Sequence, residues 1–181
     1  FSVGFEAEAG DEGDEFWYSD LVAREFATDH HQLLIPSRRV STALDGAVAA
    51  MSEPMMSHDV VAFHLLSEQV SRSVKVVQSG QGADEVFAGY HWYPRLADAP
   101  REEEPQRYAE TYFDRSHQDL SAILRPDMLT EDDVSGRFVR EHMAVPGAET
   151  ALDAALRLDT HVMLADDPVK RVDNMTMDWG L

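Results

Sequence analysis

The sequence predicts an α/β fold with a mostly parallel sheet and a helical C-terminal half. Three observations carry that expectation. Through residue 90, short apolar runs alternate with stretches of helical period. The order obtained, strand, helix, strand, helix, strand, helix, belongs to parallel strands joined by crossovers. From Tyr108 onward the pattern is helical, with turns near Pro126 and Pro146-Gly147.

Phe1-Ser2-Val3-Gly4-Phe5 alternates apolar and small residues and reads as a strand. The acidic stretch Glu6 to Glu15 reads as a loop. Tyr18, Leu21, Val22 and Phe26 recur at helical spacing, which predicts an amphipathic helix over about 14–27. Leu33-Leu34-Ile35, closed by Pro36, is a short strand, and His30-His31 falls with it. Val40 to Met51 is helical. A further helix begins near Asp59, with Ser57 or Asp59 as its cap and Phe63, Leu66 and Val70 on one face. The β-branched run Val74 to Gln78 predicts a third strand. It breaks into Ser79-Gly80-Gln81-Gly82 and then a helix from Ala83 toward Tyr90. Asp98 to Gln106, charged and holding Pro100 and Pro105, reads as an exposed connection. The chain therefore divides into an α/β part over 1–95 and a helical part over 96–181, together one partial domain whose two ends both read as cut.

Composition removes several functions. The formal net charge of −19 repels nucleic-acid backbones, so no nucleic-acid partner is expected. No apolar run approaches the roughly 20 residues of a membrane span. There is no signal-peptide pattern, and cytoplasmic is the default reading. With no cysteine, disulfides, thiolate metal sites and a Cys nucleophile are excluded. Adjacent His30 and His31 in a strand would face opposite ways, which argues against zinc.

The strongest chemical signal is the strand–turn–helix over 74–90. Two glycines let a backbone approach a ligand closely. A helix N-terminus after them offers N–H groups to an anion. Ser79 adds a hydroxyl, and Asp84 a carboxylate able to hold magnesium beside a phosphate. No Gly-Lys-Ser/Thr follows, so this is not a Walker loop. A tight connection with a capping Asp would explain the turn equally well.

The longer context is more specific. Val76 through Tyr90, with Ser79-Gly80-Gln81-Gly82-Ala83-Asp84-Glu85 at its centre, resembles the signature of the asparagine synthetase family, Ser-Gly-Glu-Gly-Ala-Asp-Glu. Phe1 to Phe5 with Thr28-Asp29-His30-His31, Ser52-Glu53-Pro54 through Ser67, and Leu158-Asp159 through Met177 are similar to other segments of that family, in the same order. The match is weakest across 96–150.

The resemblance implies a truncated ATP pyrophosphatase-type (adenine nucleotide alpha hydrolase-like) fold. It implies an ATP-dependent, AMP-forming ligase in which a carboxylate is adenylated and then takes ammonia from a glutaminase domain of the same parent chain. ATP and magnesium are the implied cofactors, and a small carboxylate acceptor the implied substrate. On this resemblance Val3 lies against adenine, and Ser79, Gly80 and Gly82 line the nucleotide site. Asp84 is the metal or pyrophosphate ligand, and Gln81 stands beside the reacting acyl group. The family's Ser-Gly-Gly-x-Asp-Ser loop is expected before Phe1 and its catalytic lysine beyond Leu181, so the chain alone is expected to be inactive.

Gln81 replaces the family's Glu and cannot act as a carboxylate base. With Ala88 and His91-Trp92-Tyr93-Pro94, it makes the chain similar to the subgroup that amidates N-acetylglutaminylglutamine. The alternative is a non-catalytic nucleotide-binding or interaction module of the same fold.

Other residues have plainer readings. Met51, Met55 and Met56 are read as packing, as are Trp92 and Tyr93. His58-Asp59 is a helix-start pair or a contact to an acceptor carboxylate. Asp159 lies on the apolar face of a helix and needs a partner, an Arg or a backbone N–H. Lys170 and Asp173, one turn apart, are read as an ion pair.

Overall fold

A computed structural model of the chain describes residues 1–6, 16–54 and 57–181. Most of the expected acidic loop, together with Met55 and Met56, lies outside these residues. In chain order the elements are β1 (Ser2–Phe5), α1 (Phe16–Glu25), β2 (Gln32–Ile35), α2 (Ser37–Ala50), α3 (Asp59–Val70), α4 (Ala83–Phe87), α5 (Pro94–Ala97), α6 (Glu104–Tyr112), α7 (His117–Ser121), α8 (Val134–Met143), α9 (Ala151–Leu158) and α10 (Lys170–Asp178). A 3-10 turn covers Pro126–Met128. Two π turns, Asp159–Met163 and Ala165–Val169, separate α9 from α10. Pro168 in the second turn has no N–H to give an α turn, and the helix widens around it. The residues group into two compact units, one of 1–79 with 167–181 and one of 80–166. The units part at Ser79/Gly80 and Asp166/Asp167.

In the first unit β1 and β2 pair in parallel, with Val3 opposite Leu33 and Phe5 opposite Ile35. The helix α1 connects them, as parallel strands require. Ile35, Ala47, Val60, Val61, Leu65 and Met175 form the core, with Val3, Phe5 and Leu33 against it. Gly46 lets α2 lie close to buried His64 of α3. A Cβ there would stand 3.3 Å from His64 Nε2. Arg171 on α10 is only 8% exposed. It donates to Asp59 Oδ2 at 2.7 Å and Ser57 Oγ at 2.9 Å, fastening α10 to the start of α3. Asp59 N–H reaches Ser57 Oγ at 3.3 Å, but His58 stands at the cap position and makes no side-chain cap bond, so neither Ser57 nor Asp59 is the expected cap.

The second unit is helical around Tyr93, Leu96, Tyr108, Val139, Met143, Ala154, Ala155 and Leu158. Capping boxes open two of its helices, Ser116 with Asp119 and Thr150 with Asp153. Hydroxyl and backbone donors from Ser116 and Thr150 hold these carboxyls below their ordinary range. At the other end of α8, Arg157 donates to the carbonyls of His142, Val145 and Pro146 at 2.8–3.1 Å, satisfying groups the helix leaves open. The expected turn at Pro146-Gly147 is present, with Gly147 at φ 107°.

Four sequence expectations need correction. Residues 74–78 are not a strand. Val74 N–H is still bonded to Val70 O at the end of α3, the sheet has only β1 and β2 among the described residues, and Val76 is 82% exposed. A β-branched run without a partner has no ladder to join. Next, α1 forms as expected but buries none of its residues, and Phe26 is 73% exposed. His30 and His31 precede β2 instead of lying in it. His30 bridges Ser2 Oγ at 2.8 Å and Asp20 at 3.4 Å, while His31 stacks on Phe1. Finally, the connection over 98–106 is partly structural. Pro105 sits in the first turn of α6, where its missing N–H costs nothing. Glu104 is buried against Arg101, and burial raises its carboxyl pKa although Arg101 opposes the shift.

These placements give opposite expectations for two apolar residues. Met175→Ala, in the first core, should cost about 3 kcal/mol, whereas Val76→Ala should stay within about 0.5 kcal/mol. Urea unfolding of the two variants checks both. A large loss at Val76 would mean that the run is packed after all.

Candidate functional site

The turn at Ser79 to Gly82 is exposed or half-exposed throughout. Gly82 has φ 98°, a left-handed geometry that favours glycine. A Cβ on it would also stand 3.1 Å from Leu164. Gly80 differs, because a Cβ there would meet nothing within 4 Å. The chain's own packing therefore explains one glycine of the motif and leaves the other unexplained.

The helix after the turn is shorter than expected. It ends at Phe87, and Ala88 takes a left-handed φ of 57° while Gly89 N–H closes on Asp84 O at 2.9 Å. One turn aligns few peptide dipoles, so the expected helix-end field is weak. The Asp84 carboxylate lies over Gly89. A Cβ on Gly89 would overlap Asp84 Oδ1 and stand 3.0 Å from Cγ. No group of three or more His, Asp or Glu side chains that could hold a metal occurs among the described residues. Magnesium is ordinarily held by one or two carboxylates together with phosphate and water oxygens, and Asp84 is one carboxylate of that kind. Of the expected ligand residues, Val3 and Ser79 belong to the first unit and Gly80, Gln81, Gly82 and Asp84 to the second.

Directly after Asp84, Glu85 is 1% exposed. Tyr90 donates to its Oε1 at 2.7 Å, and its Oε2 has no partner. Tyr90 also stacks on Trp92, with centroids 4.2 Å apart. Deeper in the same unit Asp159 has no exposed surface. Its Oδ2 accepts the hydroxyl of Tyr93 at 2.6 Å, and its Oδ1 accepts that of Tyr108. The expected need for a partner was right, but the partners are phenols, not an Arg or a backbone N–H. Burial raises the Asp159 carboxyl pKa, the two phenol hydrogen bonds oppose this, and the Glu85 charge adds to it. Burial, with Asp159 nearby, also lifts both phenols above their ordinary range, so they remain donors.

Sequence reasoning missed Glu85, Tyr90 and Tyr108. The signal was present in the phenol-rich spacing of Tyr90, Tyr93 and Tyr108 around an apolar helix face that carries Asp159. Trp92 and Tyr93 pack, as expected. Lys170 pairs with Glu53 at 3.0 Å and not with Asp173, because the packing of α10 brings the loop before α3 within reach. His58 lies 3.5 Å from Asp59, whose other carboxylate oxygen is held by Arg171.

Removing the acceptor strands two buried hydroxyls, so Asp159→Ala should cost about 3 kcal/mol. Asp159→Asn should cost less, since its amide can accept one phenol and donate to the other. The folded pKa of Asp159 stands above its unfolded value. Its contribution is complete below the unfolded pKa, roughly 3.9, and is lost as pH rises through the folded value. Stability measured against pH in Asp159→Asn should therefore lack that part of the decline. An unchanged profile would show that Asp159 does not titrate differently on folding.

Comparison with known proteins follows the same motif. A provisional asparagine synthetase (glutamine-hydrolyzing) 2 of Methanocaldococcus jannaschii is 34% identical over 90 residues, 50% of this chain and 17% of that protein. A provisional asparagine synthetase (glutamine-hydrolyzing) of Mycobacterium tuberculosis is 32% identical over 93 residues, 51% of this chain and 14% of its own length. Asparagine synthetase (glutamine-hydrolyzing) 3 of Bacillus subtilis is 27% identical over 89 residues, 49% of this chain and 14% of its own length. The aligned stretch is thus a minor part of each relative. No solved structure gives a significant match. The sequence profile of asparagine synthase matches residues 1–181, the whole chain, which therefore belongs to the asparagine synthase family.

Proposed function

We propose that the chain is part of the synthetase domain of an ATP-dependent, AMP-forming amidotransferase, with an ATP pyrophosphatase-type fold. The observation that carries this reading is the exposed Ser79–Gly82 turn, set in a chain that matches the family along its whole length. Gly80 supports it, because nothing in the fold itself requires a glycine there. A ligand that closely approaches the backbone would require one.

In this reading an acceptor carboxylate oxygen attacks the α-phosphorus of ATP and pyrophosphate leaves. Ammonia released from glutamine by a glutaminase domain then attacks the acyl carbon and AMP leaves. The carboxylate oxygen is a poor leaving group until it carries AMP. Val3, Ser79, Gly80 and Gly82 would hold the nucleotide, and Gln81 would orient the acyl group. Asp84 would be one magnesium ligand, with further donors supplied from outside the described residues. The cytoplasm, where ATP is abundant, is the location this reading assigns to the parent protein. A second reading is a module that binds nucleotide without catalysis, and the Asp84 carboxylate packed over Gly89 is compatible with it.

Gln81 carries no charge and suits an acceptor whose α-amine is blocked by acylation, such as N-acetylglutaminylglutamine. Pyrophosphate release by the full-length protein, with glutamine and each acceptor in turn, tests this. Turnover is expected with the blocked dipeptide, and Gln81→Glu should lower it about tenfold by placing an unpaired charge in a partly desolvated site. Efficient turnover of free aspartate and none of the dipeptide would overturn the subgroup. No release with any acceptor would favour the non-catalytic module.

A further inference from the structure

The first unit carries a cleft of about 290 Å³ at the carboxyl end of β2. Its lining joins the apolar run Leu33 to Pro36 and Leu65 to four charged side chains, Arg38 and Arg39 of α2 and Glu68 and Arg72 at the end of α3. None of the residues proposed to hold nucleotide lines it. We infer that this cleft binds a phosphate group carried on a small, partly apolar body. The inference goes beyond the proposed reaction and does not depend on it.

Charge is the first argument. The chain holds 34 acidic residues against 15 Lys and Arg, yet here three arginines meet one carboxylate, which leaves two positive charges in excess. Glu68 is shared, its Oε2 accepting from Arg39 at 2.8 Å and its Oε1 from Arg72 at 2.5 Å. Arg72 also donates to Gln69 Oε1 at 3.3 Å. The Arg38 guanidinium makes no hydrogen bond or ion pair among the described residues. A guanidinium carries several N–H groups, so each of the three retains donors for a ligand. Glu6 lies outside the lining and accepts Ser37 N–H at 3.1 Å. It supplies the anion that the start of α2 favours, and the site does not use that helix end.

Geometry is the second argument. Arg39 and Arg72 come from different segments but reach the same carboxylate, so their guanidiniums converge. A phosphate monoester carries about −1.5 to −2 charges at pH 7 on three oxygens around one centre. That matches both the excess charge and the fork shape of the donors. A dicarboxylate has a similar charge but divides it between two centres, and a single carboxylate leaves half of the excess unmet. The apolar run gives the rest of a monoester a surface to cover, with Leu34 52% exposed. The cleft also opens at the carboxyl end of a strand paired in parallel, the edge at which α/β sheets take ligands. Because the chain as a whole repels anions at long range, affinity here comes from these local donors.

The test is an NMR titration of the chain with phenyl phosphate, inorganic phosphate and succinate in turn, read at the arginine Nε–H signals and the backbone amides between Leu33 and Arg39. Phenyl phosphate should produce saturable shifts at Arg38, Arg39 and Arg72, and succinate should bind about tenfold more weakly. Inorganic phosphate binding as tightly as phenyl phosphate would support the site with free phosphate as its ligand. Weaker binding of inorganic phosphate would support an ester whose body covers the apolar run. Arg38→Gln should weaken phenyl phosphate about tenfold. Arg38 is exposed, and a dispersed spectrum will confirm that the variant remains folded. Arg125→Gln removes the same charge from an exposed arginine of the other unit and should leave the affinity unchanged. No saturable shifts in the folded chain, succinate binding as tightly as the phosphates, or equal losses in Arg38→Gln and Arg125→Gln would overturn the inference.

Discussion

Asp159 places a carboxylate at the centre of the 80–166 unit, and Tyr93 and Tyr108 exist there as its donors. A buried carboxylate is expensive unless it is satisfied. Here each oxygen takes one phenol, one before α5 and one on α6, while the carboxylate itself opens the π turn after α9. Three segments far apart in sequence are thereby fixed to one point. The hydrophobic cluster of Leu96, Val139, Met143, Ala154 and Leu158 closes around them. Because each hydrogen bond has a direction, this point sets orientation, which apolar contacts alone leave loose.

The family motif depends on that unit for its own support. Its helix has a single turn and cannot stabilise itself. Glu85 anchors it by pointing inward to Tyr90, while Asp84 turns over Gly89. The two adjacent carboxylates of the signature thus serve different ends, one buried and structural, the other at the surface of the turn. The wide π geometry after Leu158 brings Leu164 against Gly82, so that the left-handed turn residue is held by packing as well as by its own conformation.

In the 1–79 and 167–181 unit, the corresponding role falls to Arg171. Its guanidinium joins α10 to Ser57 and Asp59 at the head of α3, with Asp167 3.2 Å from its Nε. Two carboxylates around one arginine suit a cation that sheds most of its water. Met175, one turn further on, then drops into the core between β2, α2 and α3. The sheet itself is small, and the helices hold this unit together.

Local pattern was enough for the elements whose driving force is local. The strands at Ser2–Phe5 and Gln32–Ile35 and the helices α1, α2 and α3 follow from apolar period and from Pro36. The motif over 76–90, and with it the family, was legible because its residues are contiguous. Tertiary structure decided the rest. Val74 to Gln78 has strand-forming side chains, but a strand exists only where a second backbone offers its hydrogen bonds, and none does among the described residues. Asp159 announced a need for partners without naming them, since Tyr93 and Tyr108 lie 66 and 51 positions away. Lys170 stood one turn from Asp173 and chose Glu53, 117 positions distant, because helix packing and not sequence spacing brought that carboxylate near. Periodicity records which face of a segment is apolar; which distant groups meet that face depends on how the segments pack, and that is not written in any one of them.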